Sequence, residues 1–142
     1  KQIGLIHDDT KADIGDDVIA QVAEYFSPEF VNRLTKIIAF KPLTEDHVKI
    51  IAKNEVTKVT ERKGIKKKKL KMSVSDELIE LLAKKGYSAR YGARPMQRVV
   101  DDLIVNKISE SMCEGTIRHN SEILLDADGK GDVKLIELQP QT

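Results

Sequence analysis

Of two arginines that could do chemistry, Arg94 stands where its neighbours favour contact with an anion, while the neighbours of Arg33 leave its role open. Arg94 closes the stretch Gly86-Tyr87-Ser88-Ala89-Arg90-Tyr91-Gly92-Ala93-Arg94-Pro95, a glycine-punctuated loop that leads into a long amphipathic segment. Pro95 suits the first position of a helix, because the N–H it lacks would have no partner there. It also disfavours helical geometry at Arg94. The guanidinium is thereby held beside a helix N-terminus, where free backbone donors already attract negative charge. Gly92 has no Cβ, which would let a bulky ligand approach the backbone. A planar, permanently charged fork in that place can bind a phosphate, or it can pair with a carboxylate of its own chain. The second residue, Arg33, ends Phe26-Ser27-Pro28-Glu29-Phe30-Val31-Asn32-Arg33 ahead of Leu34. It is open either to a functional role or to plain bonds with helix-end carbonyls or with Glu29 one turn earlier.

The elements that must position these residues can be read from apolar spacing and caps. Val18, Ile19, Val22 and Phe26 mark a short helix over 18–26, and Ser27-Pro28 starts another that carries Arg33. Leu34 to Phe40 is rich in apolar and β-branched residues and predicts a buried strand ended by Pro42. Thr44 caps a helix whose face is Val48, Ile51, Ala52, Val56 and Val59, ending near Gly64. Leu70 to Val74 alternates as a strand, and Ser75 caps a helix that Gly86 stops. The helix that follows the Arg94 loop is predicted from Pro95 to about Glu114, with Met96, Val99, Val100, Leu103, Ile104, Ile108 and Met112 facing the core. Ile123–Leu125 and Val133–Ile136 flank a Gly/Asp turn and predict a hairpin. The fold class is therefore α+β from residue 42 onward. Residues 1–41 read as the margin of a larger domain, since a lone strand there would have no ladder partner. The first residue being Lys1 rather than Met fits a piece of a longer chain.

Composition narrows the functions available. A 142-residue chain with 40% hydrophobic residues can bury a real core, and a net charge of +1 provides no global field to steer nucleic acid. The run from Arg62 to Lys71 holds seven basic residues in ten, yet contains no aromatic for base stacking; a solvated face accounts for it better than a nucleic-acid-binding module does. Cys113, the single cysteine, excludes an internal disulfide and is expected to pack as a structural thiol in a reducing compartment. No apolar run is long enough to span a bilayer. His7, His47 and His119 are too scattered for a metal site, and Asp126-Ala127-Asp128-Gly129 is better explained as a turn than as a calcium loop. No Ser-His-Asp arrangement supports peptidase chemistry.

FSPEFVNRL, then IIAFKPLT, then GYSARYGARPMQR, in this order and spacing, resemble the C-terminal part of the second ATPase module of a Clp-type AAA+ unfoldase. The resemblance covers nearly the whole chain. It implies that residues 1–41 are the last strip of a large AAA+ subdomain and residues 42–142 the small C-terminal subdomain. It implies that Arg33 is an arginine finger acting on the nucleotide of a neighbouring ring subunit. Arg94 is then the sensor-2 arginine of its own subunit, with Ala93 and Ile51 against the adenine. Ile3-Gly4-Leu5 resembles the tripeptide with which ClpA-like unfoldases dock on the ClpP peptidase; a strand is the other account of Ile3 to Ile6. The implied parent is a cytoplasmic homo-hexamer that uses ATP/ADP with Mg, takes unfolded proteins and adaptors, and feeds ClpP. A ClpB-like disaggregase is the alternative within the family. The family often has an acidic residue just beyond the motif arginine, where this chain has Thr35-Lys36. A phosphate loop of the form G-x-x-x-x-G-K-[ST] is not in this sequence, nor is an acidic Walker B strand. The resemblance places both upstream of Lys1 and implies no hydrolysis by this piece alone.

Overall fold

The computed structural model describes residues 14–138. They divide into two compact units that meet in sequence between Pro42 and Leu43. The first contains α1 (Ile14–Tyr25) and α2 (Pro28–Arg33). Ser27 caps α2, its hydroxyl accepting from the Phe30 N–H at 3.4 Å, and Pro28 occupies the first turn. Phe26 stacks obliquely on Phe30 with ring centroids 4.9 Å apart. The strand expected over Leu34–Phe40 is not formed. Those residues take no regular structure, and Ile38 and Phe40 are 65% and 95% exposed. Apolar and β-branched residues favour a strand only where a ladder partner is present, and no described residue supplies one.

The second unit starts with α3 (Glu45–Thr60), capped by Thr44. The Thr44 hydroxyl accepts from the His47 N–H at 3.3 Å, and His47 Nδ1 accepts from the Thr44 N–H at 3.4 Å. Histidine thus fills the place usually held by Glu or Gln in a capping box. Helix α3 stops before Gly64, and a separate short helix α4 (Lys63–Lys67) follows, anchored by buried Ile65. After it come β1 (Lys71–Val74), α5 (Asp76–Gly86), α6 (Met96–Val100), a π-helical turn (Asp101–Val105) and α7 (Asn106–Cys113). The long helix expected from Pro95 is therefore continuous from Met96 to Cys113, but widened by a π-turn in its middle. The chain ends its described part in β2 (Glu122–Ala127) and β3 (Val133–Leu138).

The sheet runs β1-β2-β3, with β1 parallel to β2 and β2 antiparallel to β3. A parallel pair needs a long crossover, which α5 through α7 supply. Register sets Ser73 beside Leu124 and Leu124 beside Ile136, so the faces alternate cleanly across all three strands. Ile123, Leu125 and Val133 are buried on one face. Against them pack Val48, Ala52, Val56 and Val59 of α3, Leu78, Ile79 and Leu82 of α5, and Met96, Val100, Ile104 and Ile108 of the long helix. Each of these Val, Leu, Ile and Met side chains contributes on the order of 1.5–3 kcal/mol by leaving water. Cys113 departs from expectation: it ends α7 exposed rather than packed.

Candidate functional site

The loop that carries Arg94 is built as a clamp. Helix α5 ends at Gly86, which is buried against the start of α6. A Cβ there would lie 2.4 Å from Met96 Sδ and 3.0 Å from Met96 Cα, so only glycine allows the two helices to meet this closely. Beyond Tyr87 the chain folds back on itself. The Ser88 N–H donates to the Gly92 carbonyl at 3.0 Å, and the Gly92 N–H donates to the Ser88 carbonyl at 2.7 Å. Inside that bridge the Ser88 hydroxyl accepts from the Tyr91 N–H at 3.1 Å. Gly92 closes it at φ +61°, with nothing near its missing Cβ. Glycine is thus required at 92 by the left-handed turn rather than by a close approach. Ser88 is a site residue that the sequence reading passed over. A serine opening a turn that a glycine closes is a local signal for such a loop.

Past the clamp, the Met96 N–H donates to the Ala93 carbonyl at 3.0 Å, and the Val99 N–H donates to the Pro95 carbonyl at 3.0 Å. The helix begins at Met96, one residue later than expected, with Pro95 just outside it at φ −69° and ψ −11°. Arg94 is exposed beside this helix start and has no ion-pair partner among the described residues. Its neighbours are of the same sign. Arg90 lies 5.2 Å over the Tyr91 ring, and Arg98 makes only a long 3.8 Å contact with Asp102. Arg90, Arg94 and Arg98 are all exposed on this loop and helix turn, an excess of positive charge that favours an anion. Ala93 and Ile51 are half-buried in the same unit, and Ile51 packs against the core from α3.

Arg33 ends α2 in the other unit. It is exposed and makes no ion pair with Glu29 or any other described residue; with Ser27, Glu29, Phe30, Asn32 and Leu34 it lines a shallow open depression. Ile3, Gly4 and Leu5 lie outside the described residues. Among the described residues no group of three or more His, Cys, Asp or Glu could hold a metal ion, and no helix is long and apolar enough to cross a membrane.

Helices packed on a small three-strand mixed sheet match the architecture of an α+β AAA+ C-terminal small subdomain. Residues 43–125 match the family described as the C-terminal, D2-small domain, of ClpB protein, and the chain belongs to this family of Clp-type AAA+ small domains. It is 35% identical over 116 residues to an "ATP-dependent Clp protease ATP-binding subunit ClpA homolog" of Porphyra purpurea, covering 82% of this chain and 14% of that protein. It is 34% identical over 119 residues to the chloroplastic chaperone protein ClpC1 of Arabidopsis thaliana, covering 84% of this chain and 13% of that one. The chaperone protein ClpB of Corynebacterium diphtheriae is 32% identical over 117 residues, covering 82% of this chain and 14% of ClpB. The chain thus spans only about one seventh of the length of these relatives.

Proposed function

We propose that this chain works as the nucleotide-responsive end of a second ATPase module in a Clp-type unfoldase ring, a cytoplasmic homo-hexamer that feeds unfolded substrates and adaptor-bound proteins to the ClpP peptidase. The observation that carries this reading is Arg94: exposed, without a described carboxylate partner, and set by the Ser88–Gly92 clamp at the start of a helix whose core face locks into the small subdomain. In that role Arg94 binds the phosphates of its own subunit's nucleotide, and any displacement of the guanidinium moves the helix and the subdomain with it. Ala93 and Ile51 offer half-buried apolar surface to the adenine. Arg33 acts on the neighbouring subunit's nucleotide, where a permanently charged planar donor stabilises charge spread over the γ-phosphate oxygens. Splitting the two arginines between two nucleotides makes hydrolysis depend on ring assembly. Bound Mg would neutralise the phosphates; a phosphate loop, which this sequence does not contain, would hold it.

The test is a chimera in which this chain replaces the matching segment of ClpC1. Arg33→Ala should lower ATP hydrolysis by about 10³-fold or more with nucleotide binding retained. Arg94→Ala should weaken both hydrolysis and nucleotide affinity. Hydrolysis at the unmutated rate in either variant would remove that arginine from the scheme. A second reading, a ClpB-like disaggregase that returns chains to chaperones, is favoured by the match to the ClpB domain family. Leu5→Ala tests the docking: loss of peptidase-coupled degradation with ATPase retained supports docking through Ile3-Gly4-Leu5, unchanged degradation removes that tripeptide from the scheme, and a chimera that hydrolyses ATP without degrading even with Leu5 intact supports the disaggregase.

A further inference from the structure

We infer that the lysine cluster on α4 and the turn after it is a docking surface for a short Asp/Glu-rich segment of a partner polypeptide. Helix α4 ends in a six-residue loop closure: the Leu70 N–H donates to the Ile65 carbonyl at 3.3 Å, and the Lys69 N–H donates to the Lys66 carbonyl at 3.0 Å. That closure puts the residue after the cap in the left-handed region, where glycine is the ordinary occupant. Here it is Lys69, at φ +53°. Ile65 is buried and Leu70 packs on the core, so the turn is anchored from beneath, while Lys66, Lys67 and Lys69 are exposed and Lys68 is half-buried. A second segment extends the surface. The Asn120 N–H donates to the Lys68 carbonyl at 2.9 Å and the Lys71 N–H to the Ser121 carbonyl at 3.1 Å, which ties to this turn the segment that carries exposed Arg118. Asn120, at φ +67°, is the other non-glycine residue in the left-handed region among those described. Two left-handed turns therefore meet where the cations concentrate, and only the one at Lys69 lacks a residue suited to it.

Within the run, Arg62 pairs with Asp101 at 2.5 Å and Lys66 with Glu61. Lys63, Lys67, Lys68, Lys69 and Arg118 have no ion-pair partner among the described residues. A lysine at 69 costs the fold backbone strain and like-charge repulsion that glycine would avoid, so the fold does not explain it. The partner's chemistry follows from what borders the patch. There is no Phe, Tyr or Trp in 61–71 or 117–122 on which a base could stack. Glu61, paired with Lys66, and Glu122, in register with Lys71, border the run and leave a short stretch of unpaired cations between them. A short acidic peptide fits between them.

The experiment is fluorescence anisotropy of the 142-residue chain with a labelled Glu/Asp-rich decapeptide and, in parallel, a labelled single-stranded oligonucleotide. The peptide should bind at low salt and weaken steeply as salt rises. Lys67→Glu combined with Lys69→Gly should weaken it about tenfold or more. Lys69→Gly alone should raise the melting temperature while lowering affinity, which separates lost contact from lost folding. Absence of peptide binding at low salt, or unchanged affinity in the double variant, overturns the inference. Oligonucleotide binding as tight as peptide binding overturns it in favour of nucleic acid.

Discussion

Gly86 and Gly92 flank the same loop and are needed for opposite reasons. At Gly86 the obstacle is space. A methyl group would press on the buried Met96 thioether and meet Met96 Cα at 3.0 Å, and a backbone atom cannot rotate away. Gly86→Ala should therefore cost about 1–3 kcal/mol, the usual penalty of overpacking. At Gly92 space is open and the obstacle is the dihedral, φ +61°. Gly92→Ala should cost about 1–2 kcal/mol through left-handed strain. Asparagine tells the two apart. It tolerates the left-handed region, so Gly92→Asn should recover most of the loss, whereas Gly86→Asn should be worse than alanine. Urea denaturation midpoints check all four variants. The sequence marks both positions with the same letter. Only the fold distinguishes them, because the sign of φ at 92 and the approach of Met96 to 86 are properties of the closed loop and of the helix crossing. The arginines were easier to find, since charge and a neighbouring proline are local. What was not legible is that Arg94 would have no described carboxylate, a matter of which residues other elements bring near.

Elements announced by a cap or a turn were legible for the same local reason. Thr44 and Ser75 start α3 and α5, and the Gly/Asp turn sits between β2 and β3. The π-turn at Asp101–Val105 was not, because its apolar spacing differs from an α-helix by a single residue. Ser75 shows how a cap can also tie elements together. Its hydroxyl accepts from the Leu78 N–H at 3.1 Å and donates to Asp126 Oδ1 of β2 at 2.6 Å, while Lys134 of β3 contacts the other Asp126 oxygen at 2.9 Å. Ser75→Ala should cost about 1 kcal/mol, up to about 2, by thermal or urea unfolding. The hairpin adds a pH signature. The Ser75 hydroxyl, then Lys134, hold the Asp126 carboxyl below the usual carboxylate range. The Asp132 and Lys130 N–H groups do the same for Asp128. A folded pKa below the unfolded one means stabilisation that is complete above the unfolded value, near 4, and is lost as pH falls through the folded value. Melting temperature should thus fall below about pH 4, and Asp126→Asn should flatten that fall. An unchanged slope in Asp126→Asn would assign the acid sensitivity to other groups.

At the scale of the whole molecule, the core belongs to one side of the boundary at Pro42 and Leu43. Among the described residues, all sixteen buried hydrophobic ones lie between Val48 and Val133, and none of the side chains described before Leu43 is buried. Stability arises from apolar area removed from water, so global unfolding should be the unfolding of the second unit alone. The slope of stability against urea scales with the surface exposed in that transition. A chain cut to Leu43–Thr142 should then keep both the midpoint and the slope of the 142-residue protein. A peptide of residues 14–42 should show little helix in water, because α1 has 12 residues and α2 has 6, at or below the length at which isolated helices persist. Circular dichroism of the peptide and urea titrations of the two chains provide the measurement. A lower midpoint or shallower slope in the shortened chain would mean that residues before Leu43 join the cooperative fold. Equal values would mean that the small subdomain carries its own stability, and that Phe26, Phe30, Leu34, Ile38 and Phe40 expose apolar surface without cost to that fold.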